Sequence, residues 1–360
     1  DSRIAVPCPS DRNALRNPLR NMHQSLTIIL KLNLMKIKKL LKRIGQGFLV
    51  LIIIALLSGF VYEQISRNKA SKKYEAYKKY GGFIDVGGHS LFYCTEGKGK
   101  PTVVFESGFP GDVFAWIGIS KKVSKHSTTV FYDRAGMLYS TRGNKAKNDE
   151  NISDDLFTLL QKGGFEKPYI LVGHSAAGIY LIPFAQKHEK DILGIVLIDP
   201  SHPGQIYRAS DEIKKEILNV PFIPPKWLVN FANEVGLVRL ASKDWMLYYG
   251  IKSGAIYDEF EYLMDESVRE LPQNSFGDIP LVVISAGLES RYDDATEDKE
   301  VRKKMLHYWD ELQEEIASSS SRGTRIIAEK SGHNMLRSER DLIINEIEKL
   351  IQLRDSVINE

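Results

Sequence analysis

One segment restricts the fold more than any other: Tyr169-Ile-Leu-Val-Gly173-His174-Ser175-Ala176-Ala177-Gly178, which runs on into helical spacing as far as His188. An apolar run this short is read as a buried strand, and the small residues after it demand a sharp turn into a helix. Ser175 stands at that turn. A serine held there must take a strained backbone conformation so that its hydroxyl stands clear of the sheet. The residues two before and two after it then crowd each other and have to be small. Gly173 meets that demand, and Ala177 takes the second position with Gly178 next to it.

The same texture extends through much of the chain. Gly81–Val86 and Leu91–Thr95 flank Gly87-Gly88-His89, the pattern of a hairpin with a glycine turn. Short apolar runs at Pro101–Phe105, Ser127–Tyr132, Pro168–Val172, Leu193–Ile198, Ile279–Ile284 and Arg325–Ala328 alternate with helical stretches at Ile152–Gln161, Ala177–His188, Leu306–Ile316 and Leu342–Leu353. Alternation of this kind predicts an α/β fold with a mostly parallel sheet covered on both faces. The spacing fails between Asp199 and Gly277, where prolines and aromatics (Pro221, Trp227, Trp245, Tyr248, Tyr249) mix with helical texture. A helical cap at about 203–276 is expected there.

A serine hydroxyl needs a base within hydrogen-bond reach. Of eight histidines, His333 alone lies in a loop directly after a late strand, in Ser331-Gly-His-Asn334. That loop leaves the carboxyl edge of the sheet, as the Ser175 turn does, so His333 is the expected base. His89, His126, His188 and His307 sit in turns or on helical faces and are expected to be solvated. An oxyanion requires two backbone N–H donors. Ala176 supplies one, and Phe109 in Glu106-Ser-Gly108-Phe109-Pro110-Gly111 supplies the other, because Pro110 has no N–H. The acid that orients the base is open between two positions. Asp199 ends a strand in Ile198-Asp-Pro, and Glu289 follows Ile284-Ser-Ala-Gly-Leu. The choice falls narrowly on Asp199, with Glu289 as the alternative. Gly108, His174, His202 and Trp227 are the candidate pocket residues, His174 being read first as structural.

The N-terminal region has a different character. Gly47–Tyr62 carries no charge, and extended back to Ile44 it approaches the ~20 residues that span a bilayer. Lys36, Lys38, Lys39, Lys42 and Arg43 precede it and should hold that end in the cytoplasm. Residues 35–64 are thus expected to be a signal-anchor, 65–80 a stalk and 81–353 the folded domain. The domain would lie on the extracytoplasmic side of the cell membrane; secretion after signal cleavage is the alternative. Residues 1–34 are expected to be disordered or not native.

Composition narrows the function classes. A net charge of +3, with much of the basic surplus before residue 80, argues against a nucleic-acid partner. Two cysteines, Cys8 and Cys94, exclude a disulfide framework. Neither a metal nor a cofactor is expected.

Taken in order, Asp85-Val-Gly-Gly-His-Ser-Leu-Phe-Tyr93, Glu106–Gly111, Tyr132-Asp-Arg-Ala-Gly136, Gly173–Gly178, Ile198-Asp-Pro200 and Ser331–Asn334 resemble the α/β-hydrolase superfamily over nearly all of 81–353. The resemblance implies an eight-stranded sheet, a lid after the sixth strand and a Ser–His–acid triad. It does not settle Asp199 against Glu289. This chain departs from the pattern at Ala177 and in having Glu106-Ser-Gly where many members have His-Gly. The expected activity is hydrolysis of a small-molecule carboxylic ester, with an apolar acyl or alcohol part, through an acyl-enzyme. An amidase, aminopeptidase or lactonase on the same residues is the alternative, and a catalytically silent membrane-tethered binding protein is the reading from another class.

Overall fold

The structure, a computed structural model, describes residues 11–111, 113–218, 225–237, 254–265, 267, 270–288 and 298–358. The chain divides into two units, residues 1–62 and 63–360. Helix α1 runs from Asp11 to Lys78. It begins inside the stretch expected to be disordered, where leucine, methionine and lysine, all good helix formers, are frequent. Ser25–Ser66 within α1 holds a window of mean hydropathy 2.4, long and apolar enough to cross a membrane. A signal sequence has the same length and composition.

In the second unit, eight strands form one sheet: β1 (Gly81–Asp85), β2 (Ser90–Glu96), β3 (Thr102–Glu106), β4 (Thr128–Tyr132), β5 (Tyr169–His174), β6 (Ile192–Ile198), β7 (Leu281–Ala286) and β8 (Gly323–Ala328). Their spatial order is β1-β2-β4-β3-β5-β6-β7-β8. The hairpin strand β2 pairs antiparallel with β1 and with β4, while every pair from β4 to β8 is parallel. The sheet is therefore mixed, with a parallel body.

Side-chain alternation builds two cores, one on each face. Val104, Leu171, Leu197 and Val283 point to one side, against Leu156 and Leu159 of α3 (Asp149–Lys162) and Leu181 and Phe184 of α4 (Ala177–His188). Val103, Phe105, Ile170, Val172 and Val196 point to the other, against Ile119 of α2 (Ile117–Val123) and helix residues Ile343 and Ile347. All five residues of β3 are buried, which explains a strand with no polar alternation. Each fully buried Val, Leu, Ile or Phe contributes about 1.5–3 kcal/mol. Cys94 is one of these buried residues.

Between β6 and β7 the described residues contain helices α5 (Asp211–Ile217), α6 (Lys226–Glu234) and α7 (Ala255–Leu263). Helices α8 (Lys299–Ser318) and α9 (Arg340–Ile358) follow β7 and β8. Trp245, Tyr248, Tyr249 and Glu289 lie outside the described residues.

Candidate active site

Parallel strands β5, β6 and β8 end on the same edge of the sheet, and Ser175, Asp199 and His333 follow them and meet there. This residue has φ +55°, in the left-handed region that L side chains rarely adopt. Its N–H donates to the Ile198 carbonyl at 3.0 Å and its carbonyl accepts from Ser201 N–H at 2.8 Å, so the strained turn is braced by the adjoining strand end. The crowding inferred at the turn is visible. A Cβ on Gly173 would come 2.9 Å from the Ala177 methyl and 2.8 Å from Leu181 Cδ1. One side chain fits between positions 173 and 177, and alanine occupies it. Gly108 approaches from the other side; a Cβ there would stand 2.9 Å from Ser175 Cβ. The loop carrying Phe109 thus lies against the serine, opposite the start of α4 at Ala176.

His333 comes from the loop after β8. Its Nε2 is 3.0 Å from Ser175 Oγ and its Nδ1 is 2.6 Å from Asp199 Oδ2. Asp199 is wholly buried at the end of β6 and also has a positive φ, +42°. Its other carboxylate oxygen accepts from Trp309 Nε1 at 2.9 Å and from Ala286 N–H at 3.2 Å. Ser175, His333 and Asp199 therefore stand in one hydrogen-bonded line.

The candidate pocket residues separate. Gly108 borders Ser175. His174 turns its ring to His333, with Nε2 3.0 Å from the His333 carbonyl, and so braces the histidine loop. His202 is fully buried, its Nδ1 accepting from Gly204 N–H at 2.9 Å. Burial pushes its pKa down to about 4, against the pull of Glu315 Oε1 at 3.4 Å. Among the described residues, His202 is not one of those lining the cavity at Ser175. Trp227 is 70% exposed on α6 and is not among the described residues lining the cavity at Ser175. Two residues expected to be solvated are otherwise placed: His89 is buried on Asp155 at 2.8 Å, and His188 stacks on Phe157 at 3.8 Å between ring centres.

The cavity beside Ser175 has a volume of about 180 Å³ and is mainly apolar. Ile213 and Ile217 of α5 face Met305, Tyr308 and Trp309 of α8 across it. Sequence reasoning did not find these residues. Their helical spacing looks like ordinary core, and only the folded chain sets the two helices beside the serine.

A buried ionic cluster was also missed, although Arg134 lies in one of the quoted segments. Arg134 Nη1 donates to Glu106 Oε1 and to the Ser107 carbonyl, each at 2.6 Å. Its Nη2 donates to the Gly108 carbonyl at 2.8 Å and to Glu259 Oε1 at 2.6 Å. Tyr132 OH donates to Glu106, and Tyr180 OH to Glu259 Oε1 at 2.9 Å. Burial pushes the Glu106 carboxyl up, and the paired carboxylates hold the Arg134 guanidinium well above its usual range. The available signal was a charged residue, Glu106, closing an otherwise apolar strand.

A family model for the alpha/beta hydrolase fold matches residues 101–244. The chain has the α/β-hydrolase fold. Among its relatives, the uncharacterised protein YbdG of Bacillus subtilis is 31% identical over 169 residues, which cover 46% of this chain. The chain spans about half of YbdG, 51% of its length. Among solved structures, an epoxide hydrolase from Bacillus megaterium superposes with a TM-score of 0.57 at 16% identity, covering 75% of this chain and 100% of the other. A bacterial membrane phospholipase A gives 0.56 at 16% identity, covering 89% and 100%. At that identity the likeness establishes the fold and leaves the reaction to the site.

Proposed function

We propose that this α/β-hydrolase is a serine hydrolase that cleaves a carboxylic ester through an acyl-enzyme. The observation that carries the reading is the line from Ser175 Oγ through His333, at 3.0 Å, to Asp199, at 2.6 Å. Ser175 Oγ attacks the ester carbonyl while His333 Nε2 takes its proton. The carbonyl oxygen becomes an oxyanion facing the N–H groups of Phe109 and Ala176. Asp199 holds the imidazole in the tautomer with Nδ1–H and stabilises the cation that forms. The cation then protonates the departing alkoxide, leaving Ser175 acylated. Water, deprotonated by the same His333, attacks the acyl carbonyl, and Ser175 recovers its proton as the acid leaves. No step calls for a metal or cofactor.

The apolar cavity between α5 and α8 supports an ester with an apolar acyl or alcohol group.

The apolar part of α1 is proposed as a membrane anchor, with its lysine-rich flank cytoplasmic and the hydrolase unit extracytoplasmic. Protease protection in sealed vesicles tests the sidedness.

The deciding experiment treats the full-length chain in detergent with a fluorophosphonate probe, beside Ser175→Ala and His333→Ala. Nitrophenyl esters of graded acyl length are assayed on all three. Labelling lost in Ser175→Ala, with turnover lost in both variants, supports the reading. A folded wild-type chain that neither labels nor turns over any ester overturns it in favour of a binding protein.

A further inference from the structure

Glu259 on cap helix α7 is wholly buried, and so is its partner Arg134, 3% exposed. Removing two charges from water is costly, and a buried pair survives only where additional hydrogen bonds complete it. Here the extra bonds have a particular distribution. Through one nitrogen, Arg134 reaches the Ser107 carbonyl, and through another the Gly108 carbonyl. Those carbonyls flank the loop that ends in Phe109. The same Glu259 oxygen that accepts from Arg134 also accepts from Tyr180 OH, in the first turn of α4. The Tyr180 ring lies under the guanidinium, 4.9 Å from Cζ to the ring centre. A single cap carboxylate thus ties together the two chains that carry the expected oxyanion donors, Phe109 on the loop and Ala176 at the head of α4.

We propose that Glu259 is a positioning residue through which the cap sets the spacing of the oxyanion donors, acting by way of Arg134 on the loop and Tyr180 on the helix. The inference rests on the serine-hydrolase reading and adds a control on that site by the cap. Glu106 holds the far side of the guanidinium, at 2.6 Å from Nη1, so Arg134 cannot turn to follow a displaced Glu259 without losing that pair. With Glu259 absent, the fork keeps Glu106 but loses the partner that aims Nη2, and the Gly108 carbonyl is freed to rotate. Rotation of that peptide moves the Phe109 N–H. A donor misplaced by about 1 Å costs on the order of 100-fold in rate.

The test uses the full-length chain in detergent with Glu259→Ala, Glu259→Gln, Tyr180→Phe and Arg134→Lys. Two readouts are taken: kcat and KM per active site titrated with fluorophosphonate, and hydrogen exchange of the Ser107–Gly111 amides. Glu259→Ala should lower kcat about 10- to 100-fold with KM little changed, and should speed exchange in that loop but not in β3. Glu259→Gln, which keeps the accepting oxygen, should restore most of the rate. A merely structural role would reduce the titrated fraction and leave kcat per site intact. Where Glu259→Ala fails to fold, the volume-conserving Tyr180→Phe and Glu259→Gln make the same comparison, with smaller losses of kcat and the same loosening of the loop. Unchanged kcat per site together with unchanged loop exchange overturns the proposal. A wild-type chain inert toward probe and ester, with the loop still loosened in the variants, overturns the serine-hydrolase reading while the tie between cap and loop stands.

Discussion

Asp199 Oδ2 lies 2.6 Å from His333 Nδ1, and the other oxygen of the same carboxylate is held by Trp309 Nε1 at 2.9 Å. The indole comes from α8, far along the chain, so a helix on one face of the sheet fixes the carboxylate that holds the His333 ring. An asparagine in place of Asp199 would put an amide where a double acceptor is needed and favour the wrong histidine tautomer. Asp199→Asn is expected to lower kcat on a nitrophenyl ester about 10²- to 10⁴-fold with the fold intact. Glu289→Ala should stay close to wild type. The reverse pattern would make Glu289 the acid.

Trp309→Phe removes one donor from a wholly buried carboxylate and keeps most of the ring. Losing a hydrogen bond to a charged group costs about 1.5–3 kcal/mol. Some of that cost should appear as a lower kcat and the rest as a lower melting temperature. Thermal unfolding and steady-state kinetics on the same preparation separate the two.

The turn at Ser175 has room for one methyl group between positions 173 and 177. Gly173→Ala adds a second, 2.9 Å from the first, and should destabilise the fold by about 1–3 kcal/mol while displacing the serine. Ala177→Gly in the same chain removes the clash at residue 177, leaving the contact with Leu181 Cδ1, and should recover part of both losses. A double-mutant cycle on melting temperature and kcat measures the coupling, and strict additivity would contradict the packing argument.

Stability should fall in acid through His202. Its folded pKa is about 4, against 6.5 for the ordinary imidazole, because burial disfavours the cation. Between those values the unfolded chain holds a proton that the folded chain does not. The contribution is therefore complete above about pH 6.5 and is lost as pH falls toward 4, by on the order of 3 kcal/mol. Arg208 binds Glu315 at 2.5 Å and so competes for the carboxylate that would stabilise the charged ring. Melting temperatures across this range should drop less steeply in His202→Asn than in wild type.

Substrate preference should respond to α5 and α8. Ile213→Ala and Met305→Ala each enlarge the cavity beside Ser175, and each should shift kcat/KM toward longer acyl or alkoxy chains. A shift in neither variant, over a graded ester series, would place the apolar group of the substrate elsewhere.

The local pattern by itself determined the layered α/β architecture, because strand period, glycine turns and helical spacing are all written within a few neighbouring residues. Gly173, Ser175 and Ala177 announced a strained turn for the same reason: the crowding that demands small residues acts across five positions. His333 and Asp199 were legible as residues at strand ends on one edge of a parallel sheet, a consequence of topology that requires no side-chain detail. What only the tertiary structure decided depends on which distant elements come into contact. His174 adjoins Ser175 and His202 follows the end of β6, yet His202 is buried with its ring on Gly204 N–H and His174 braces the His333 carbonyl. Trp227, an aromatic in the insert, is solvent-exposed, while Ile213 and Met305, unremarked in sequence, border the serine. Glu259 lies more than a hundred residues along the chain from Arg134 and Glu106 and meets them only when the cap helix seats over the loop. Charges that far apart acquire a shared role through low-dielectric burial, and burial is a property of the whole fold rather than of any segment.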